Sequence, residues 1–375
     1  MSKFLLSCGG TGGHLSPGIS LAEGLTERGH EAVLLVSQKK VDARLLEKYP
    51  QLRFERMPGI GFSTGPVAAV RFIVSQTQSV WQCLRLVRSW QPDAIVGFGG
   101  FTSAPAVLAG RVLGVPVALH ESNRVPGRAI RSLGRFARRV YLPPGITLGN
   151  VRASATRHVG LPVRREIARQ SPAVARAALG LDPALRTLVI LGGSQGSGAL
   201  NDWVRDSLDA LAAENIQVYC VTGMGKGRDG VMERVSKTGT VIKSHFVAFS
   251  DRIGELLSAA DLVVSRAGAG TLAELIRCET PAVLVPFPQA ADDHQRANAA
   301  FFEQQGGGLV VEQTKISTLR TEVLEVLGNE WLLRQFRSNL QRMDRANSLD
   351  LMLRDLEHII ASPAASSDSS AQVTA

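Results

Sequence analysis

Short unbroken apolar runs recur along the chain, each ending in glycine or a polar turn, and most lead into stretches where apolar residues return every three or four positions. Runs without alternation suit strands buried on both faces of a parallel sheet, and the longer period suits the helices that cover them. In the first half the pattern predicts strands at 3–8, 32–36, 94–97, 116–119 and 139–142, with helices over about 17–29, 67–90 and 103–113. After Gly160-Leu161-Pro162-Val163-Arg164 it starts again, with strands near 186–191, 217–221, 240–243, 262–265 and 282–285. The expected fold is α/β: two Rossmann-like domains with parallel sheets facing a central cleft. The divide is expected between residues 162 and 163, giving domains 1–162 and 163–342. The sequence from about 331 to 360 reads as helical, and its last part, 343–361, is expected to pack back on the first domain. Residues 362–375, small and polar, read as a disordered tail.

Two strand ends carry the same punctuation. Phe4-Leu5-Leu6-Ser7-Cys8 runs into Gly9-Gly10-Thr11-Gly12-Gly13-His14, and Leu188-Val189-Ile190-Leu191 runs into Gly192-Gly193-Ser194-Gln195-Gly196-Ser197-Gly198. Glycines between a strand and a helix let the backbone approach an anion closely, and the N–H groups and dipole of the helix start favour negative charge. Gly97-Phe98-Gly99-Gly100-Phe101-Thr102-Ser103 and His120-Glu121-Ser122-Asn123 follow two more strands, so they belong on the same carboxyl rim, where open parallel sheets bind ligands. Ser265-Arg266-Ala267-Gly268-Ala269-Gly270-Thr271-Leu272-Ala273-Glu274 makes a further helix entrance suited to a diphosphate. Glu274, one turn inside, either accepts two hydrogen bonds from a ribose diol or answers the helix dipole. Gln295 and Asn298, three apart, project amides from one helical face, and amides suit sugar hydroxyls.

With 375 residues the chain exceeds one ordinary core and accommodates two. No apolar run reaches the roughly 18 residues of a spanning helix, and the first strand begins too early to read as a signal peptide. Cys8, Cys83, Cys220 and Cys278 lie far apart and read as reduced thiols. The net charge of +9 is uneven: residues 1–162 hold 20 Lys and Arg against 8 Asp and Glu, the remainder 22 against 25. Arg124, Arg128, Arg131, Arg135 and Arg138 would share one face of a helix, as a solvated surface or as a basic patch. Residues 67–90 set Arg71, Arg85 and Arg88 among Phe72, Trp81, Trp90 and many aliphatic residues, with no acid. That mixture is what an anionic bilayer surface selects. No nucleic-acid recognition motif accompanies it, and nucleic acid is not an expected partner.

Taken together, Gly-Gly-Thr-Gly-Gly-His at 9–14, His-Glu-Ser-Asn at 120–123, Gly-Gly-Ser-Gln-Gly at 192–196, Arg-Ala-Gly-Ala-Gly-Thr-x-x-Glu at 266–274 and Asp-His-Gln-x-x-Asn at 293–298 resemble the MurG family of glycosyltransferase family 28. These are the peptidoglycan N-acetylglucosaminyltransferases that convert lipid I to lipid II. The resemblance spans residues 3 to about 345 and implies the glycosyltransferase B fold, with UDP-N-acetylglucosamine held mainly by the second domain. It implies that Ser194 and Thr271 meet the diphosphate with Arg164 nearby, and that Glu274 meets the ribose. Gln295 and Asn298 would meet the sugar hydroxyls, Asn201 would support the second glycine loop, and Gly12, Gly13, Gln195 and Ala269 would line the same donor site. Thr11, His14 and Asn123 would face the acceptor and the reacting centre. Arg71, Phe72, Trp81, Arg85, Arg128, Arg131 and Arg135 fall on the domain that carries the family's membrane surface. Gly160-Leu161-Pro162 departs from the usual Gly-Asn-Pro, and His294 replaces the first of a common glutamine pair.

The implied reaction is inverting transfer of N-acetylglucosamine from UDP to the C4 hydroxyl of N-acetylmuramate on lipid I. A single displacement needs one general base. His14 is the candidate, either as base or as a group that positions the acceptor, with His120 a second choice. The chain has no Asp-x-Asp, so no cofactor and no obligatory protein-bound metal are expected, and helix N-termini with Thr271, Ser194 and Arg164 would meet the departing charge. Expected partners are UDP-N-acetylglucosamine, lipid I, the anionic inner face of the bacterial cell membrane, where the chain would sit peripherally, and cell-wall synthesis and division proteins. Competing readings are a transferase for another lipid acceptor, a UDP-N-acetylglucosamine 2-epimerase, a non-catalytic UDP-sugar sensor and a dinucleotide dehydrogenase. The first loop is not G-x-G-x-x-G, which counts against the last.

Overall fold

The computed structural model describes residues 1–9, 12–37, 46–58, 65–193, 195–344 and 348–361. β1 (Lys3–Ser7), β2 (Glu31–Ser37), β3 (Arg53–Met57), β4 (Ala94–Gly97), β5 (Val117–His120), β6 (Arg139–Leu142) and β7 (Thr156–His158) form one sheet in the order β3-β2-β1-β4-β5-β6-β7. All its pairings are parallel, with Phe4 of β1 opposite Ala32 on one side and Ala94 on the other. β8 (Arg186–Leu191), β9 (Ile216–Val221), β10 (Gly230–Val235), β11 (Val241–Val247), β12 (Leu262–Ser265), β13 (Ala282–Leu284) and β14 (Gly308–Val310) form the second, in the order β10-β11-β9-β8-β12-β13-β14. Only β10 runs antiparallel, against β11. Without it the second order repeats that of the first six strands, β1 to β6, and each is the doubly wound order whose ligand crevice opens where the strand sequence reverses. That point lies between β1 and β4 in one sheet and between β8 and β12 in the other.

Helices cover both faces: α1 (Gly12–Glu27), α2 (Pro66–Trp90), α3 (Ser103–Leu113) and α4 (Arg128–Leu133) in the first half, then α5 (Pro172–Ala178), α6 (Gly198–Ala213), α7 (Ile253–Ala259), α8 (Ala269–Arg277), α9 (His294–Gln304), α10 (Leu319–Gly328), α11 (Glu330–Met343) and α12 (Ser348–Ala361). Phe4, Leu5 and Leu6 of β1 and Val189 and Ile190 of β8 are fully buried because both faces of each central strand are covered.

The differences from the sequence pattern concentrate at edges. β3, β7, β10 and β14 escape the apolar-run criterion because they are short or half-solvated, and Arg53-Phe54-Glu55-Arg56-Met57 and Thr156-Arg157-His158 are largely polar. β14 instead depends on its glycine: a Cβ on Gly308 would sit 1.8 Å from the Ala282 carbonyl oxygen. α1 starts at Gly12, straight out of the first loop, rather than at 17, and β11 extends to Val247. The predicted helix over 331–360 is two helices, α11 and α12.

α12 lies against α1. Its Met352, Leu353, Leu356 and Ile359 join Leu15, Ile19 and Ala22 in one core cluster, each larger side chain contributing about 1.5–3 kcal/mol by its burial. Asp355 of the same helix accepts from Arg139 Nε at 2.7 Å and from Tyr141 Oη at 2.8 Å, and Glu357 pairs with Arg28 at 2.9 Å. Part of the basic excess of the first domain is therefore answered by acids from the end of the chain.

The five-arginine helical face requires correction. α4 holds only Arg128 and Arg131. Arg124 precedes it, Arg135 falls in a 3-10 turn and Arg138 follows that turn. Gly127 and Gly134 bracket this short helix. Among the described residues no helix is long and apolar enough to cross a membrane.

Candidate active site

The first rim is built by close backbone approach. A Cβ on Gly9, just after β1, would stand 2.5 Å from Thr102 Cγ2, and Thr102 donates its hydroxyl to the Gly9 carbonyl at 2.9 Å. Gly99 and Gly100 follow β4 with φ of 95° and 73°, a region that favours glycine, and they pack on the imidazole of His14. A Cβ there would come within 3.4 Å of His14 Nε2 and 3.2 Å of Nδ1 respectively. His14 is thus held at the start of α1, which follows β1, and against the turn after β4, the two strands that flank the switch point. Gly12 and Gly13 form the first residues of that helix. Thr11 and Ser194 lie outside the described residues.

His120, the second candidate base, is fully buried at the end of β5, and its Nε2 lies 3.2 Å from the Gly160 carbonyl. Burial pulls its pKa down to about 4, with His14 adding to the effect, so it stays neutral and braces the crossing between domains. The adjacent Glu121 accepts from the Asn123 backbone at 2.8 Å, the Asn123 amide at 3.1 Å and the Gly127 backbone at 2.7 Å. These bonds close the loop and turn the Asn123 side-chain oxygen towards the second domain.

On the second rim, Gly196 meets the turn after β9 so closely that a Cβ would lie 2.4 Å from Thr222 O. Asn201 on α6 donates its amide to Thr222 O at 2.9 Å, fixing that turn. Ser197 caps α6 by accepting from Leu200 N, and it also receives Arg266 Nη2 at 2.8 Å. Arg266, buried after β12, donates further to Val285 O, Pro286 O and Gln313 Oε1. One guanidinium thereby joins three loops, a role its place in the motif did not disclose. Gln195 is exposed on the loop. Gly268 caps α8, whose first turn contains Ala269, Gly270 and Thr271 and presents helix-start N–H groups to the cleft. Glu274, one turn on, is met by Arg164 Nη2 at 3.2 Å. Burial raises the Glu274 pKa and Arg164 works against that rise.

The two rims touch. Asn298 on α9, 2% exposed, accepts from the Arg124 backbone at 2.9 Å and donates to Asn123 Oδ1 at 3.1 Å and Ala267 O at 3.1 Å. Its amide is engaged across the cleft. Gln295 Oε1 accepts from Ala267 N at 3.3 Å and Phe287 N at 3.0 Å, holding the loop before α9 against α8. His294 Nδ1 lies 2.7 Å from Ala291 O at the start of α9. Asp292 faces Arg131 at 2.7 Å and Arg128 at 3.6 Å, and Arg124 stacks on Phe301 at 4.0 Å. Three of the arginines read as a basic patch therefore lie at the domain boundary.

Arg135 stacks on Phe136 beside them. Arg71, Trp81 and Arg85 lie instead on the outer face of α2, with Phe72 half-buried, and Arg85 rests 5.6 Å from the Trp81 ring. Trp81 is 64% exposed, and Val67, Val70, Ile73 and Val74 are exposed too. Among the described residues no group of three or more His, Cys, Asp or Glu could hold a metal ion.

One cluster had no sequence signal. Tyr49 and Lys48 meet Glu166, which pairs with Arg164 next to Glu274, and no spacing rule connects residues 48 and 49 with 164 and 166.

Residues 4–142 match the glycosyltransferase family 28 N-terminal domain and 187–349 its C-terminal domain. The structure superposes on that of Acinetobacter baumannii MurG with a TM-score of 0.71 at 24% identity, over 96% of this chain and 100% of that one. On CalG4, the calicheamicin glycosyltransferase, the TM-score is 0.70 at 14% identity, over 97% and 99%. The fold and matched domains define a two-domain GT-B glycosyltransferase of family 28. A UDP-N-acetylglucosamine--N-acetylmuramyl-(pentapeptide) pyrophosphoryl-undecaprenol N-acetylglucosamine transferase of Opitutus terrae is 63% identical over 366 residues, 98% of this chain and 97% of that protein. The chain belongs to that family, the MurG transferases.

Proposed function

We propose that the protein transfers N-acetylglucosamine from UDP-N-acetylglucosamine to the C4 hydroxyl of N-acetylmuramate on lipid I, giving lipid II with inversion at the anomeric carbon. The observation that carries this reading is the meeting of the rims: Asn123 and Arg124 after β5 lie within hydrogen-bond distance of Asn298 on α9. A donor on the second rim and an acceptor hydroxyl on the first would thus share one cleft. We take 1–162 as the acceptor domain, 163–342 as the donor domain and 343–361 as a strap on the first.

In this reading the start of α8 and the second glycine loop, with Thr271 and Ser194, take the diphosphate. Glu274 takes the ribose, and Gln295 takes the sugar. Asn298 reaches the sugar only by exchanging its bond to Asn123, so donor binding and the set of the domains are linked. The donors at these helix starts stabilise the charge that develops on UDP, and no protein-bound metal is assigned. His14 accepts the proton of the attacking hydroxyl. Its place at the start of α1, where the dipole favours a neutral ring, supports that role.

The exposed face of α2, with Trp81, Arg71 and Arg85, supports peripheral binding to an anionic membrane on the cytoplasmic side, where lipid I and partner cell-wall and division proteins would be met. The test is transfer of labelled N-acetylglucosamine to a lipid I analogue with EDTA present. Wild-type turnover is expected, with a loss of about 10²–10⁴-fold in kcat for His14→Ala. Absence of wild-type turnover with donor still bound would turn the reading to another lipid acceptor.

A further inference from the structure

We propose that Tyr49 and Glu166 are positioning residues for the nucleotide sugar, acting from the domain junction to hold Arg164 against Glu274. The inference rests on the reading that Glu274 takes the ribose. Tyr49 is 4% exposed, with its ring in the core cluster of the first domain, and its hydroxyl donates to Glu166 Oε1. The same oxygen lies 3.2 Å from Arg164 Nη1 and 3.4 Å from Lys48 Nζ. Arg164 extends its other terminal nitrogen, Nη2, to Glu274 Oε1 at 3.2 Å. A continuous chain thus runs from the first core to the carboxylate one turn inside α8.

The electrostatics give that chain a purpose. Arg164, 9% exposed, bridges two carboxylates, with one terminal nitrogen on each. Burial opposes the charge on Glu166, but the Tyr49 hydroxyl and Arg164, with Lys48, hold its carboxyl below the usual range. Burial and the bond to Glu166 push the Tyr49 phenol up, so it remains a donor. Glu23 of α1 is a third acid nearby, pushed up by burial and by Glu166. Glu166, anchored by Tyr49 and Lys48, fixes one arm of Arg164 and so aims the other at Glu274. Removing the Tyr49 hydroxyl or the Glu166 charge loosens that anchor, lets the Arg164 guanidinium turn away, and deprives a largely buried Glu274 of its counter-charge. A neutral carboxyl accepts ribose hydroxyls less well, so donor binding weakens although Tyr49 touches no donor atom.

The experiment measures UDP-N-acetylglucosamine binding by calorimetry and steady-state transfer for Tyr49→Phe and Glu166→Gln in the full chain. Expected is a rise of about 5- to 10-fold in donor Kd and KM, with kcat and acceptor KM unchanged, which is the loss of less than one charged hydrogen bond. In a Glu274→Gln background, Tyr49→Phe should add less than about twofold, since coupled residues are not additive. Unchanged donor binding in Tyr49→Phe and Glu166→Gln while Glu274→Gln weakens it, or an equal loss in both backgrounds, overturns the proposal and spares the donor-site reading. Unchanged donor binding in Glu274→Gln overturns both. Tyr49→Phe retains the buried ring, and Glu166→Gln, on a half-exposed side chain, supplies the answer if the core variant folds poorly.

Discussion

Replacing Glu274 by Gln tests the donor site with little change of shape. The carboxylate is largely buried, 16% exposed, and its neighbours are Arg164 at 3.2 Å, Glu166 beyond that and Cys278 just past the end of α8. If it accepts two ribose hydroxyls, the amide keeps one acceptor oxygen and loses about one charged hydrogen bond, worth about 1.5–3 kcal/mol. At about 1.4 kcal/mol per tenfold, donor Kd should rise by about 10- to 150-fold.

The pH dependence adds a second signature. Burial, opposed by Arg164, raises the Glu274 carboxyl above its ordinary 4.5. Wild-type donor affinity should therefore fall as pH drops through that raised value, and the Gln variant should lack this loss. The sign for stability is opposite. Between the ordinary and the raised value the native chain binds more protons than the unfolded chain, so the contribution of this group falls as pH rises. The Gln variant should accordingly unfold no earlier than wild type at neutral pH. Calorimetric titration with UDP-N-acetylglucosamine from pH 5 to 8, with urea unfolding alongside, measures both. Binding within twofold of wild type, or an identical acid limb in the variant, refutes the assignment.

Asp355→Ala should lower the urea midpoint by the equivalent of about 3–5 kcal/mol, because Arg139 and Tyr141 lose a largely buried partner on α12; a midpoint unmoved would mean the Asp355 pairings contribute nothing. Asn298→Ala removes the acceptor of the Arg124 amide, so hydrogen exchange at Arg124 should quicken and donor affinity should fall several-fold. Protection at wild-type level would show that the cross-cleft bond does not form in solution. Trp81→Ser with Arg85→Glu should cut sedimentation with anionic vesicles at least tenfold while sparing donor affinity; vesicle binding at wild-type level would leave the α2 face a merely solvated surface.

Much of the molecule is written in local order. Central parallel strands are buried on both faces, so Phe4-Leu5-Leu6 and Leu188-Val189-Ile190-Leu191 declare themselves as apolar runs, and the glycines that follow mark the rim where the backbone must come close to another chain segment or a ligand. Edge strands such as β7 and β10 have one neighbour and much solvent, so composition does not mark them. The arginine series after residue 120 had the right period for a helix, but period cannot say where a helix stops, and Gly127 and Gly134 limit α4 to one turn and a half.

What tertiary structure alone decided is which charges and amides meet. Arg131 finds Asp292, Arg139 finds Asp355, and Asn298 finds Asn123, each pair more than a hundred residues apart in sequence. Tyr49, Glu166, Arg164 and Glu274 form one chain of contacts only because two separately folded sheets are pressed together at their carboxyl rims. Local periodicity records which face of an element is buried. The partner across a domain boundary depends on the relative placement of the two cores, and no short stretch of sequence contains that.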